Sequence, residues 1–162
     1  MEHVAVTNLE LEALADQFPS LTPYFVGVFA ADTLPSSPVR SRPQAYIVNT
    51  DPKDQPGRHW IALWTEGDAC EKMDSYGLPI QYYNSVPLER WLATHWHWMD
   101  TNRQSLQSLH SATCGHYALK YCVDKSQGKT LRDFLNQFTS YDYVTNDARI
   151  ARWMKQRMLK LM

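Results

Sequence analysis

Four residues of this chain could together break an amide bond: Cys114 as nucleophile, His59 to exchange its proton, Asp74 to orient the imidazole, and Gln107 to donate to an oxyanion. Cys114 follows a polar run (residues 108–113) and precedes Gly115 and an apolar helical pattern of Tyr117, Ala118, Tyr121 and Cys122. It therefore stands where a loop enters a helix, a place where free backbone N–H groups and the helix dipole favour a negative sulfur. Gly115 carries no side chain to crowd a substrate carbonyl near that sulfur. Gln107, seven residues ahead of Cys114, supplies the side-chain amide that would join the Cys114 N–H as second oxyanion donor. Each residue also has a plainer reading. A free cysteine often only packs, His59 could be a half-buried strand residue, Asp74 could serve a turn, and Gln107 could face solvent.

What raises Asp74 above a turn residue is its spacing from His59. Residues 58–65 read as a strand, Glu66-Gly67-Asp68 as its turn, and residues 70–76 as the returning strand. A turn centred on Glu66-Gly67 puts Asp74 directly opposite His59, whereas one centred on Gly67-Asp68 puts it one diagonal step away. In both registers the two side chains share a face, because strand side chains alternate with period two. Opposed Cβ atoms lie about 4.5–5.5 Å apart, close enough for a direct histidine–carboxylate bond.

The remaining chain supplies elements to hold this group. A capping box, Thr7 to Glu10, opens a helix over residues 8–17. Strands are expected over residues 24–30 and 45–49, separated by a Pro- and Ser-rich loop over residues 32–43. Residues 87–98 read as a helix, and residues 103–109 as a short strand running into loop. The helix begun by Cys114 runs to about residue 123, and another begins at Thr130. Thr145 or Asn146 could cap a last helix striped with Ile150, Trp153, Met154, Met158 and Leu161. The fold class is α+β: a small, mainly antiparallel sheet packed against helices, with the nucleophile at the start of a central helix, in one domain spanning residues 1–162.

Composition sets outer limits. A chain of 162 residues with net charge −1 is long enough for a real core and does not demand nucleic acid. It has no apolar run that could span a membrane, and its first 20 residues do not read as a signal peptide. Three cysteines without such a signal point to free thiols in a reducing compartment. A zinc site is disfavoured, because Cys114 and Cys122 on one helix would be about 12 Å apart. Six tryptophans and nine tyrosines suit a compact core or a peptide groove, and residues 95–98 read mainly as packing. Arg149, Arg152, Lys155, Arg157 and Lys160 are unopposed by acids; they form either a solvated helix face or a weak, nonspecific, salt-sensitive DNA surface.

His59-Trp60, Asp74-Ser75-Tyr76-Gly77, and Gln107 followed by Ser111-Ala112-Thr113-Cys114-Gly115 resemble the adenovirus protease (adenain) clan, which includes the ubiquitin-like-protein proteases. The small size, residues 25–35 and Gly57-Arg58-His59-Trp60 look like the adenovirus branch, and Asp-Ser-Tyr-Gly-Leu-Pro like proteases of Polinton (Maverick) elements and adintoviruses. The resemblance spans roughly residues 24–123. It implies a cysteine endopeptidase that cleaves capsid or polyprotein precursors during virion maturation, in the host nucleus or the particle, with small residues or Gly near the scissile bond. It implies Trp60 packed over the site and no cofactor for the chemistry, with activation by DNA, a capsid-derived peptide, or both. A monomer without membrane attachment is expected. Two features depart from adenovirus enzymes: Asp74 stands where mammalian ones carry Glu, and Trp96 stands where they carry the cysteine that links the activating peptide. The rival reading is a ubiquitin- or SUMO-like-protein deconjugase with the same triad.

Overall fold

The computed structural model describes residues 5–161. Thr7 caps helix α1 (Asn8–Ala15) through the expected box, its hydroxyl accepting from Glu10 N–H and Glu10 returning to Thr7 N–H. Five strands follow, β1 (Phe25–Phe29), β2 (Gln44–Asn49), β3 (Trp60–Glu66), β4 (Ala69–Met73) and β5 (Trp98–Thr101), and they lie in the sheet in that order. The two central pairings, β2–β3 and β3–β4, are antiparallel, while the outer pairs β1–β2 and β4–β5 are parallel. A parallel neighbour needs a crossover. Between β4 and β5 it is a 3-10 turn (Ile80–Tyr83) and helix α2 (Val86–His95).

The fifth strand corrects two boundaries. The helix expected over residues 87–98 stops at His95, and Trp96 is already extended. Trp96 is buried against Trp91, with Arg40 over its ring, while Trp98 faces out. Residues 98–101 then pair with β4 as a parallel edge strand. The strand expected over residues 103–109 does not form, because side chain replaces ladder there. The β4–β5 register ends at Lys72 opposite Thr101. At the next position the Asn102 side chain accepts from Asp74 N–H at 2.8 Å and donates to Asp74 C=O at 2.6 Å.

The two sheet faces carry separate cores. Tyr46, Ile61, Leu63 and Cys70 pack under α2, through Leu88, Trp91 and Leu92. Ala45, Ile47, Ala62 and Met73 pack against α3 (Cys114–Ser126), which runs past the expected residue 123. Tyr117, Tyr121 and Cys122 make α3 a core helix, and α1, α4 (Leu131–Leu135) and α5 (Tyr143–Met158) surround it. The cap of α5 is Asp142, whose carboxylate accepts from Thr145 N–H at 3.0 Å; Thr145 and Asn146 lie inside the first turn. Among the described residues no helix is long and apolar enough to cross a membrane.

Candidate active site

The hairpin register sets the first contact. Glu66 pairs with Ala69, so the turn is Gly67-Asp68 and Asp74 lies one diagonal step from His59. His59 Nε2 is 2.6 Å from Asp74 Oδ1, with His59 only 4% exposed and Asp74 fully buried. The same oxygen accepts Tyr76 N–H at 2.9 Å, and the other accepts the Tyr83 hydroxyl at 2.5 Å. Tyr76 and Tyr83 both stack on the imidazole.

A buried charge survives only with such partners. Burial raises the Asp74 pKa, but the His59 bond and charge, then Tyr83 and Tyr76, outweigh it and hold the carboxyl below its ordinary range. Burial likewise opposes charge on His59. Hydrogen bonds to Asp74 and Cys114, and their charges, win and raise the imidazolium pKa to about 9. Burial and the Asp74 charge push Tyr83 up, so its hydroxyl stays a donor.

Cys114 opens α3 and is the most accessible thiol; Cys70 and Cys122 are free but buried, and burial pushes both thiols up. With Nε2 engaged by Asp74, Nδ1 is the nitrogen of His59 left for the sulfur. Trp60 N–H also points at the sulfur, 3.5 Å away. As the first helical residue, Cys114 has an N–H that no carbonyl of its own helix can take. Thr113 stands at the cap position but makes no capping bond, because its hydroxyl donates to Asp147 at 3.0 Å.

Gln107 is buried, not solvent-exposed. Its Oε1 accepts the Ser75 hydroxyl at 2.5 Å and its Nε2 donates to Ser111 C=O at 2.9 Å. These bonds define which end of the amide carries the donors, and one N–H stays unspent. Leu106 N–H and Gln107 N–H both donate to Ser75 C=O. The turn after β4 thus holds the acid through Asp74 and the amide through Ser75. Gly77 closes that turn, donating to Asp74 C=O at 2.8 Å with φ +66°. A Cβ there would lie 2.5 Å from Arg103 C=O. We expect Gly77→Ala to cost about 2 kcal/mol or more in urea unfolding, from the left-handed backbone and the clash together. It should also lower turnover per folded molecule, since Asp74 and Ser75 shift with the turn. An unchanged midpoint would show that the turn can relax.

Gly115 also has a packing task. A side chain there would meet Val6 Cγ2 at 2.6 Å and Trp60 Cδ1 at 3.3 Å. The glycine lets α3 pack against Val6 and Trp60, and it is itself buried. Half-buried Trp60 lies against the start of α3.

The five cations divide. Arg149 donates to Gln137 C=O, and Arg157 lies over the Trp153 ring at 5.1 Å. Arg149, Arg152, Lys155 and Lys160 are exposed, and Arg157 is half-buried. No group of three or more possible metal ligands occurs among the described residues.

Sequence reading missed Tyr83, Asn102, Ser75 and Asp147. Tyr83 falls in a 3-10 turn with no periodic signal. Asn102 and Asp147 reach their partners only through tertiary contact. Ser75 alone had a cue, its place beside the candidate acid.

The α+β fold, a five-stranded sheet packed against helices, is similar to that of a known protease. Two crystal structures of ASFV pS273R protease, one of them selenomethionine-labelled, match with TM-score 0.51 each. Sequence identity is 15% and 16%, over 91% of this chain and 66% and 67% of those chains. The likeness is one of fold, and this chain spans about two thirds of that protease's length. No family model matches, and no curated protein matches in sequence.

Proposed function

We propose that this protein is a cysteine endopeptidase of the adenain and ubiquitin-like-protease clan. The observation that carries the reading is the continuous chain from accessible Cys114 through His59 to buried Asp74, at the start of the core helix. Similarity in fold to ASFV pS273R protease supports it.

In the mechanism, His59 Nδ1 takes the Cys114 proton, or the two rest as an ion pair, and the sulfur attacks a peptide carbonyl. The Cys114 N–H and the free N–H of Gln107 stabilise the oxyanion. Protonated His59 then donates to the leaving amine. Water, deprotonated by the same imidazole, releases the acyl group and regenerates the thiol. Asp74 keeps the ring in the useful tautomer and balances its charge, without taking the proton.

Substrates are capsid or polyprotein precursors with small residues or Gly near the scissile bond, cleaved in the nucleus or particle by a monomer of the Polinton and adintovirus branch. DNA, a capsid peptide or both act as activators. Such a peptide binds without a disulfide, because Trp96 replaces the linking cysteine and is buried. DNA contact falls mainly to Arg152, Lys155 and Lys160, since Arg149 and Arg157 are engaged elsewhere.

The deciding experiment is labelling with a peptide vinyl sulfone ending in Gly, with and without DNA and candidate capsid peptides, read by mass spectrometry. Modification at Cys114, lost in His59→Ala, is expected. Absence of labelling under every condition would overturn the protease reading. Cleavage of a ubiquitin-like fusion in preference to a short precursor peptide would favour the deconjugase instead.

A further inference from the structure

The geometry points to Asp147, on α5, as a positioning residue that sets the spacing of the two oxyanion donors. The inference rests on the protease reading above. Asp147 is 3% exposed. Its Oδ2 accepts Ser108 N–H at 3.1 Å, one residue beyond Gln107. Its Oδ1 accepts the Thr113 hydroxyl at 3.0 Å, one residue before Cys114, and the Tyr117 hydroxyl at 2.8 Å, one turn into α3. Beside it, Asn146 Nδ2 donates to Leu106 C=O at 3.1 Å. One carboxylate therefore holds both ends of the loop that joins Gln107 to Cys114.

Two consequences follow from the chemistry. A carboxylate can accept several bonds at once, whereas an asparagine has a single acceptor oxygen. Asp147 also engages the Thr113 hydroxyl, which makes no capping bond to α3. Asp147 thus acts on the transition state through Gln107 and Cys114, without touching substrate.

Interactions realised only in the transition state change kcat rather than KM. Losing one oxyanion donor costs about 10²–10³-fold in kcat, and displacing one should cost somewhat less. We expect Asp147→Asn to lower kcat for a peptide substrate about 10–100-fold with KM moved less than about threefold. Alkylation of Cys114 by iodoacetamide, which forms no oxyanion, should keep its wild-type rate. Thr113→Val, which removes the link nearest Cys114 together with the Ser111–Thr113 hydroxyl bond, should show the same split at smaller size, and serves if Asp147→Asn does not fold. A merely structural role would lower hydrolysis and alkylation together, in step with the folded fraction, and would overturn the inference. So would Asp147→Asn retaining kcat within twofold. Absence of any Cys114-dependent hydrolysis in the wild type is a separate result; it would remove the protease reading and this inference with it.

Discussion

Cys114→Ala should abolish peptide cleavage, by about 10⁵–10⁶-fold, while leaving the thermal midpoint nearly unchanged. The loss is large because no neighbour can replace the nucleophile: Cys70 and Cys122 are buried within the two cores. Stability should hold because Cys114 is only half-buried and alanine is the best helix former. Cys70→Ala and Cys122→Ala should behave in the opposite way. Each empties a packed site and should cost about 1–2 kcal/mol, with turnover per folded molecule kept. Burst titration with an activated ester, alongside thermal melts of all three variants, makes the comparison. Cleavage surviving in Cys114→Ala but lost in Cys122→Ala would sink the assignment.

Asp74→Asn should lower kcat about 10⁴-fold with the chain still folded. Asparagine keeps the size but loses the charge, and it must choose between two demands. Its oxygen can face His59 or Tyr83, not both, and the –NH₂ then meets a group that wants an acceptor. The imidazole is left in the wrong tautomer for taking a proton from sulfur.

The same variant predicts a change in pH dependence. His59 titrates near 6.5 when unfolded and about 9 when folded, so its stabilising contribution is full below about pH 6.5 and is lost as pH rises through 9. Asp74 is shifted down from 3.8, so its contribution is present above that value and is lost as pH falls through its folded pKa. Both shifts report one ion pair and count once. Wild-type stability should therefore peak between about pH 4 and 6.5 and fall on either side, by an order of a few kcal/mol across the alkaline limb. Asp74→Asn should flatten both limbs. Urea midpoints measured from pH 3 to 10 test this, and an alkaline limb as steep in the variant as in the wild type would refute the pairing. Because His59 is cationic across neutral pH when paired, hydrolysis should not show the simple onset near pH 6.5 expected of an isolated histidine.

Local pattern alone determined much of this protein. Period-two alternation placed His59 and Asp74 on one face before any turn was known, and the Thr7 capping box marked α1. The apolar period after Cys114 put the sulfur at a helix start. These signals are readable because each lies within a few residues, where backbone geometry dictates which side chains meet. The turn register was left between two choices, and only pairing across β3 and β4 selected Gly67-Asp68. The boundary between α2 and β5 needed the pairing of residues 98–101 with β4, since His-Trp-His-Trp fits a helix end as well as a strand. The polar frame of the site was decided by tertiary structure alone. Asn102 replaces a rung of the sheet at Asp74, Tyr83 returns from the crossover to the carboxylate, and Asp147 reaches back from the last helix to the nucleophile's loop. These bonds join residues up to 39 positions apart, and no periodicity encodes a partner that distant. Burial is what gives them force, because a buried polar group must find a partner wherever the fold brings one.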